Sequence, residues 1–292
     1  MFRKLIIFLL VVLLSLGVIY GYYYSRWRHF WSIAQPLKSY EITEKSDDTL
    51  RVIMIGDSWA GVHHGLQMDT FLCSELKRRV SQPVKVISKG KGGAKSKGIY
   101  QLMFESDGDG TKTLFQNAPN YCIISAGIND AAANLGTKQF CAHYRMILSF
   151  LLEHKIKPII IEIPDVDLWH LYGGKPKKDL LVDFFKSTMS QCCMYNYSEY
   201  REALKKMLKD ENLIASVIYI PMRVWNGKGT ALNDELFISD RVHLNKNGYE
   251  RLDVCIANAI VKDLVSRPAA SAPMCQRCRS STSWSLRTAS PA

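Results

Sequence analysis

The stretch Arg51-Val52-Ile53-Met54-Ile55-Gly56-Asp57-Ser58 decides the fold of this 292-residue chain. Its apolar run is short, rich in β-branched residues and stopped by a glycine, which reads as a buried strand running into a turn. The same signature recurs at Val84-Lys85-Val86-Ile87, Tyr121-Cys122-Ile123-Ile124-Ser125, Pro158–Ile163 and Ser216–Ile220. Between these runs the spacing changes to that of helices, over about 61–80, 137–154, 179–190 and 197–209, with a last helix over 246–265. Over 137–154, Phe140, Tyr144, Ile147, Leu148 and Leu151 fall on one helical face. Uninterrupted Val/Ile strands separated by helices predict a parallel sheet covered on both faces, with any ligand site at the carboxyl ends of the strands.

The loops at those ends carry a complete set of groups for acyl transfer. Gly56-Asp57-Ser58 follows the first strand, Gly90-Lys91-Gly92-Gly93 the second, Gly127-Ile128-Asn129-Asp130 the third, and Asp240-Arg241-Val242-His243 comes after the fifth. A serine hydroxyl is a weak nucleophile unless a histidine removes its proton, and the histidine needs a carboxylate to hold its tautomer. Ser58, His243 and Asp240 can fill these catalytic roles. The oxyanion that forms needs preorganised donors, and the backbone amides of Ser58 and Gly93 with the side-chain amide of Asn129 can supply them. A lone serine here would be read as the cap of the next helix. The other loops favour the catalytic reading.

These four segments, in this order, resemble the consensus blocks of the SGNH, or GDSL, hydrolase family. The resemblance covers about Arg51 to Val265, and Asp240-x-x-His243-Leu-Asn-x-x-Gly248 at the start of the last helix adds to its specificity. It implies a flavodoxin-like, three-layer α/β/α sandwich with a five-stranded parallel sheet, esterase activity with no cofactor and no metal, and Ser58 as nucleophile. Two features depart from the family pattern. Ser88 stands where many members have asparagine, and three glycines compete for the oxyanion position, of which Gly93 is preferred and Gly92 comes next.

Other polar residues are given plainer roles. Asp57 and Asp130 are expected to accept loop hydrogen bonds, and the adjacent His63 and His64 to mark a solvated helix start, since neighbours on a helix point about 100° apart. Lys95-Ser96 is preceded by Ala94 rather than by the glycine of a phosphate-binding loop, Asp107-Gly-Asp109 lacks a calcium loop's terminal glutamate, and no Gly-x-Ser-x-Gly elbow occurs. Of eight cysteines, Cys73, Cys122, Cys141, Cys192, Cys193 and Cys255 lie in the body, where Cys122 and Cys255 read as buried thiols. Cys275-x-x-Cys278 has no second pair to complete a zinc site.

The ends differ from the body. Twenty uncharged residues, Leu5 to Tyr24, are long enough to span a bilayer and continue into Trp27 and Trp31 rather than a cleavage site, which reads as an uncleaved signal anchor with an interfacial aromatic belt. No other stretch reaches eighteen apolar residues, so a single membrane contact is expected. Residues 1–30 are thus the anchor, 31–50 a linker, 51–266 the hydrolase domain, and 267–292, rich in Ser, Ala, Pro and Arg, a tail expected to be disordered. Net charge is +11, but eight unpaired cations lie in the two ends and leave +3 for residues 31–266, which gives no reason to expect a nucleic-acid partner. Cations flank the anchor on both sides, and the expected orientation places the body in the periplasm or outside the cell.

The substrate is read from the long segment between the fourth and fifth strands. Trp169, His170 and Tyr172, near Asp165 and Asp167, could line a sugar site or pack the insertion on the body. Lys175, Lys177 and Lys178 do not suit an acyl channel. The favoured reading is an esterase removing an O-acyl group, above all O-acetyl, from a cell-envelope glycan. An O-acyltransferase to such a glycan, a lipid or thioester esterase, and a non-catalytic membrane-tethered glycan-binding domain are the alternatives.

Overall fold

A computed structural model of the protein describes residues 2–43, 47–227 and 235–266. Five strands, β1 (Leu50–Gly56), β2 (Val84–Gly90), β3 (Tyr121–Ser125), β4 (Lys157–Ile161) and β5 (Ile218–Ile220), form one sheet in the order β2-β1-β3-β4-β5. All pairings are parallel, and Gly56 lies level with Gly90 on one side and Ser125 on the other. From β1 the chain winds outward to β2 and then returns across β1 to β3. The loops after β1 and β3 therefore diverge, and the crevice between them is where such sheets bind ligands.

Burial explains the strand patterns. β3 is buried at all five positions and β1 at all but Arg51, so neither alternates apolar with polar residues. β2 is an edge strand and does alternate, with Lys85 exposed between buried Val84 and Val86. Helices Met68–Lys77 and Lys246–Ser266 pack on each other over one face, and helices Ser96–Leu102, Thr137–Glu153 and Tyr197–Asp210 form the opposite layer.

The single helix expected over 61–80 is two, Ser58–Gly65 and Met68–Lys77. Gln67 breaks it in a left-handed conformation with φ of 59°, which costs a non-glycine residue about 1–2 kcal/mol. The turn lets one carboxylate meet two histidines: Asp69 lies 3.1 Å from His63 Nδ1 and 2.6 Å from His64 Nδ1. Apolar residues stay in phase across the break, so periodicity does not reveal it.

The segment after the first helix is fastened to the body. The Ala34 amide donates to His143 Nε2 at 3.0 Å, the Leu37 amide to the Tyr100 hydroxyl at 2.8 Å, and the Tyr40 hydroxyl to the Met103 carbonyl at 2.7 Å. Burial, and then Lys97, push His143 down to about 4, which keeps the imidazole neutral and able to accept. The first helix, Phe2–Trp31, includes at Phe2–Arg28 a stretch long and apolar enough to cross a membrane, within which eighteen consecutive residues have a mean hydropathy of 2.6. All six body cysteines are free, Cys122 buried and Cys255 half-buried. The tail at 267–292, with Cys275 and Cys278, lies outside the described residues.

Candidate active site

Ser58 opens its helix but does not cap it. The cap is Asp57, whose carboxylate accepts the Trp59 amide at 3.0 Å and the Ser125 hydroxyl at 2.8 Å. With that role filled, the half-buried Ser58 hydroxyl is free to bond elsewhere, and its oxygen lies 2.8 Å from His243 Nε2. His243 Nδ1 lies 2.5 Å from Asp240 Oδ2, and the other Asp240 oxygen accepts the amides of Val242 at 2.8 Å and His243 at 2.9 Å. Partial burial opposes ionisation of Asp240, but the hydrogen bonds from the His243 ring and from these two amides outweigh it and hold the carboxyl below its usual range. With the ring proton on Nδ1 directed at Asp240, Nε2 accepts from the serine.

The Asp240–His243 loop is shaped by an antiparallel bridge between Phe237 and Leu244, an Ile238 amide bond to the His243 carbonyl at 3.0 Å, and a left-handed Arg241 with φ of 57°. Gly248, four residues after buried Leu244, has no room for a side chain: a Cβ there would lie 2.4 Å from the Leu236 carbonyl oxygen. Trp59, the neighbour of Ser58, completes the frame. Its indole donates to the Val242 carbonyl at 3.1 Å and its own carbonyl accepts the Tyr249 hydroxyl at 3.0 Å. The ring is buried among Trp225, Phe237 and Tyr249. Sequence reasoning missed Trp59, Ser125 and Tyr249, because no spacing rule links residues that stand 68 to 190 positions from their partners.

The expected oxyanion donors lie in adjoining loops. The Asn129 amide donates to the Ala94 carbonyl at 3.1 Å and approaches Asp57 Oδ2 at 3.5 Å, so it sits between the glycine loop and the residue before Ser58. Gly93 has φ of 71°, with no atom within 4 Å of where a Cβ would stand, and the Lys91 amide bonds the Gly56 carbonyl at 3.1 Å, tying this loop to the end of β1. Among the described residues neither the Ser58 nor the Gly93 amide donates to a protein group. Gly92 is exposed in the same turn.

Asp57 and Asp130 hold loops, as expected. Burial raises Asp57 to about 6 against the pull of its hydrogen bonds. Asp130, raised by burial, accepts the Ser96 amide at 2.9 Å and hydroxyl at 2.6 Å. His63 corrects the sequence reading of a solvated helix start. It is buried, with Nε2 at 3.0 Å from Asp253 and Nδ1 at 2.8 Å from the Ser88 hydroxyl, because the helix turns it toward the last helix of the chain while His64 points to solvent. Burial alone would lower its pKa, yet hydrogen bonds to the carboxylates of Asp253 and Asp69 raise it to about 9. Ser88, the residue at which the sequence departs from the family pattern, thus belongs to this cluster.

The aromatic residues of the insertion are divided. Trp169 is 51% exposed, its ring edge-on to Tyr195 at 5.1 Å, and His170 is also exposed. Tyr172 is engaged in packing, stacked on Tyr195 at 5.5 Å with the Lys175 ammonium 4.6 Å above it. The helix carrying them, Leu168–Tyr172, begins at Asp167, which approaches Arg241 of the Asp240–His243 loop at 3.8 Å.

This sheet order, with a serine, histidine and aspartate at the crevice, defines an α/β hydrolytic enzyme of the SGNH type. The chain belongs to the GDSL-like lipase/acylhydrolase family, whose model matches residues 54–251, and it is an ester-bond hydrolase. Its fold is that of a Bacteroides fragilis protein described as an acylhydrolase, at a TM-score of 0.52 and 17% identity, covering 77% of this chain and 92% of that one. Also similar are a psychrotrophic esterase from Pseudoalteromonas (TM-score 0.49, 15% identity, 74% and 99% coverage) and an acetylxylan esterase from Geobacillus stearothermophilus (TM-score 0.48, 14% identity, 72% and 93% coverage). Among curated proteins none matches the chain.

Proposed function

We propose that the protein is a serine esterase that removes an O-acyl group, above all O-acetyl, from a cell-envelope glycan through an acyl-enzyme on Ser58. The observation that carries this reading is the unbroken chain of hydrogen bonds from Asp240 through His243 to Ser58 Oγ. In the first step Ser58 Oγ attacks the acyl carbonyl carbon while His243 Nε2 takes its proton. The Ser58, Gly93 and Asn129 amides hold the oxyanion, and Asp240 stabilises the imidazolium. His243 returns the proton to the departing sugar oxygen. Water then attacks the acyl-serine carbonyl with His243 again as base, which releases the carboxylic acid and restores Ser58.

An open groove of about 420 Å³ adjoins Gly93 and is lined by Lys91, Lys95, Gln101 and Glu105 together with Leu102 and Leu135. Such a mixed lining suits a hydrophilic acceptor better than a long acyl chain. The N-terminal helix is read as a membrane anchor with the body outside the cytoplasm, where an envelope glycan would be met.

A fluorophosphonate probe tests the nucleophile, since labelling requires an activated serine. Labelling of the intact protein that disappears in a folded Ser58→Ala variant is expected, and undiminished labelling of that variant ends the assignment. Mass spectrometry of envelope glycans from cells with and without the protein reads the substrate: more acetylated glycan in its absence is expected, and unchanged glycans would move the activity to another ester.

A further inference from the structure

The first helix meets the body near its carboxyl end. Tyr23, one residue short of the end of the uncharged run, stacks on Phe185 with ring centroids 6.3 Å apart, and the Lys186 ammonium lies 5.3 Å over the ring of Trp27. Both partners belong to helix Lys177–Ser190 of the insertion. If Leu5–Tyr24 spans the bilayer, these contacts set that helix at the depth of the tyrosine–tryptophan belt, where aromatic and lysine side chains favour the boundary between lipid tails and headgroups.

The outer surface of helix Lys177–Ser190 fits such a place. Leu181 and Phe184, three residues apart and so on one face, are 55% and 54% exposed. Lys177 and Lys178 stand one turn before Leu181, where their ammonium groups can reach phosphates while their stems lie on lipid. Trp169 and Leu171 of the neighbouring short helix are 51% and 41% exposed. An apolar face flanked by lysines is the pattern of a helix lying in a membrane interface, and that mode of contact needs no eighteen-residue apolar run. The glycine loop after β2 borders this side of the molecule. The groove beside Gly93 shares Lys95 and Leu135 with a second cavity of about 150 Å³, whose other walls include Trp27, Trp31 and Lys186.

We infer that helix Lys177–Ser190 is a second membrane contact, seated on the bilayer surface through Leu181 and Phe184, so that the groove beside Gly93 opens at the headgroup level of an anionic bilayer. The inference rests on the anchor reading of the first helix. The occupant is taken to be lipid because the face adjoins the span's own aromatic belt at Tyr23 and Trp27, and because its rim is cationic. The substrate this geometry favours is an ester carried on a membrane-linked glycan rather than on a freely diffusing one.

The test uses the full chain in nanodiscs of phosphatidylglycerol and phosphatidylethanolamine whose acyl chains carry a photoactivatable diazirine, with lipid adducts mapped by peptide mass spectrometry. Adducts are expected on the anchor peptide and on the peptide containing Leu181 and Phe184. The Leu181→Asp/Phe184→Asp double variant should lose most of the second set, keep the first, and hydrolyse a soluble aryl acetate as fast as the parent. Adducts on the anchor alone overturn the second contact while the anchor reading stands, and adducts on neither overturn the anchor reading itself. Two copies per nanodisc with the insertion shielded from lipid would assign the face to a second copy and also overturn the inference.

Discussion

Helix Ser58–Gly65 touches a histidine–aspartate pair at each end, and the two pairs are used in opposite ways. At its start, Ser58 meets His243, a histidine about one-quarter exposed whose Nδ1 is held by Asp240 and whose Nε2 faces a hydroxyl. Further along, His63 is fully buried, with Asp253 at one nitrogen and Asp69 and Ser88 at the other. The first pair leaves one nitrogen facing a group that can exchange a proton with it. The second has both nitrogens engaged with fixed partners, two of them carboxylates, so it can hold a charge but cannot pass a proton to a substrate. A histidine next to an aspartate is therefore not by itself a catalytic signal. What matters is what the far nitrogen meets and whether solvent reaches it.

This contrast can be broken most forcefully at Ser58. Ser58→Ala should fold normally and lose roughly 10³-fold or more of its turnover of an aryl acetate, the scale on which removal of one member of such a triad acts. Retained activity in the well-folded variant would leave the exposed pair no more catalytic than the buried one. Asn129→Ala should lower kcat by about 10²–10³-fold with little change in KM, because an oxyanion donor acts in the transition state. A KM defect alone would place Asn129 in substrate binding. His63→Ala should do the reverse: about 3–5 kcal/mol of stability lost in chemical denaturation, because Asp253 is left buried without its partner, and activity of the folded fraction within a few-fold of the parent. A loss of kcat comparable to that at Ser58 would contradict the division of roles.

The smallest effect expected is on pH. His63 in the folded protein titrates near 9, above its ordinary 6.5, so its stabilisation is complete below about 6.5 and is lost as pH rises through about 9. The thermal midpoint should fall between pH 7 and 9.5 for this reason, and the fall should be shallower in His63→Gln. An identical slope in the two proteins would mean that His63 carries no charge at neutral pH.

The strands and the crevice residues were legible in the linear order of residues. Val52–Ile55 and Tyr121–Ser125 are buried on both sides, so they appear as unbroken apolar runs; Ser58, Gly93 and Asn129 each stand within four residues of a strand's carboxyl end, and Asp240 and His243 stand just before the helix that starts at Lys246. Local periodicity and turn chemistry carry that information in neighbouring residues. It took the folded molecule to reveal that Asp57 rather than Ser58 caps the helix, that Trp59 fastens the Val242 carbonyl, and that His63 turns inward to Asp253, 190 positions away. The folded molecule also shows that the helix expected over 61–80 breaks at Gln67, and that Phe185 meets Tyr23 of the first helix. Each of these depends on which surfaces the folded chain brings together. Residue type and spacing do not encode that, because the same histidine, tryptophan or phenylalanine would read alike whether it ended against a carboxylate, a carbonyl or water.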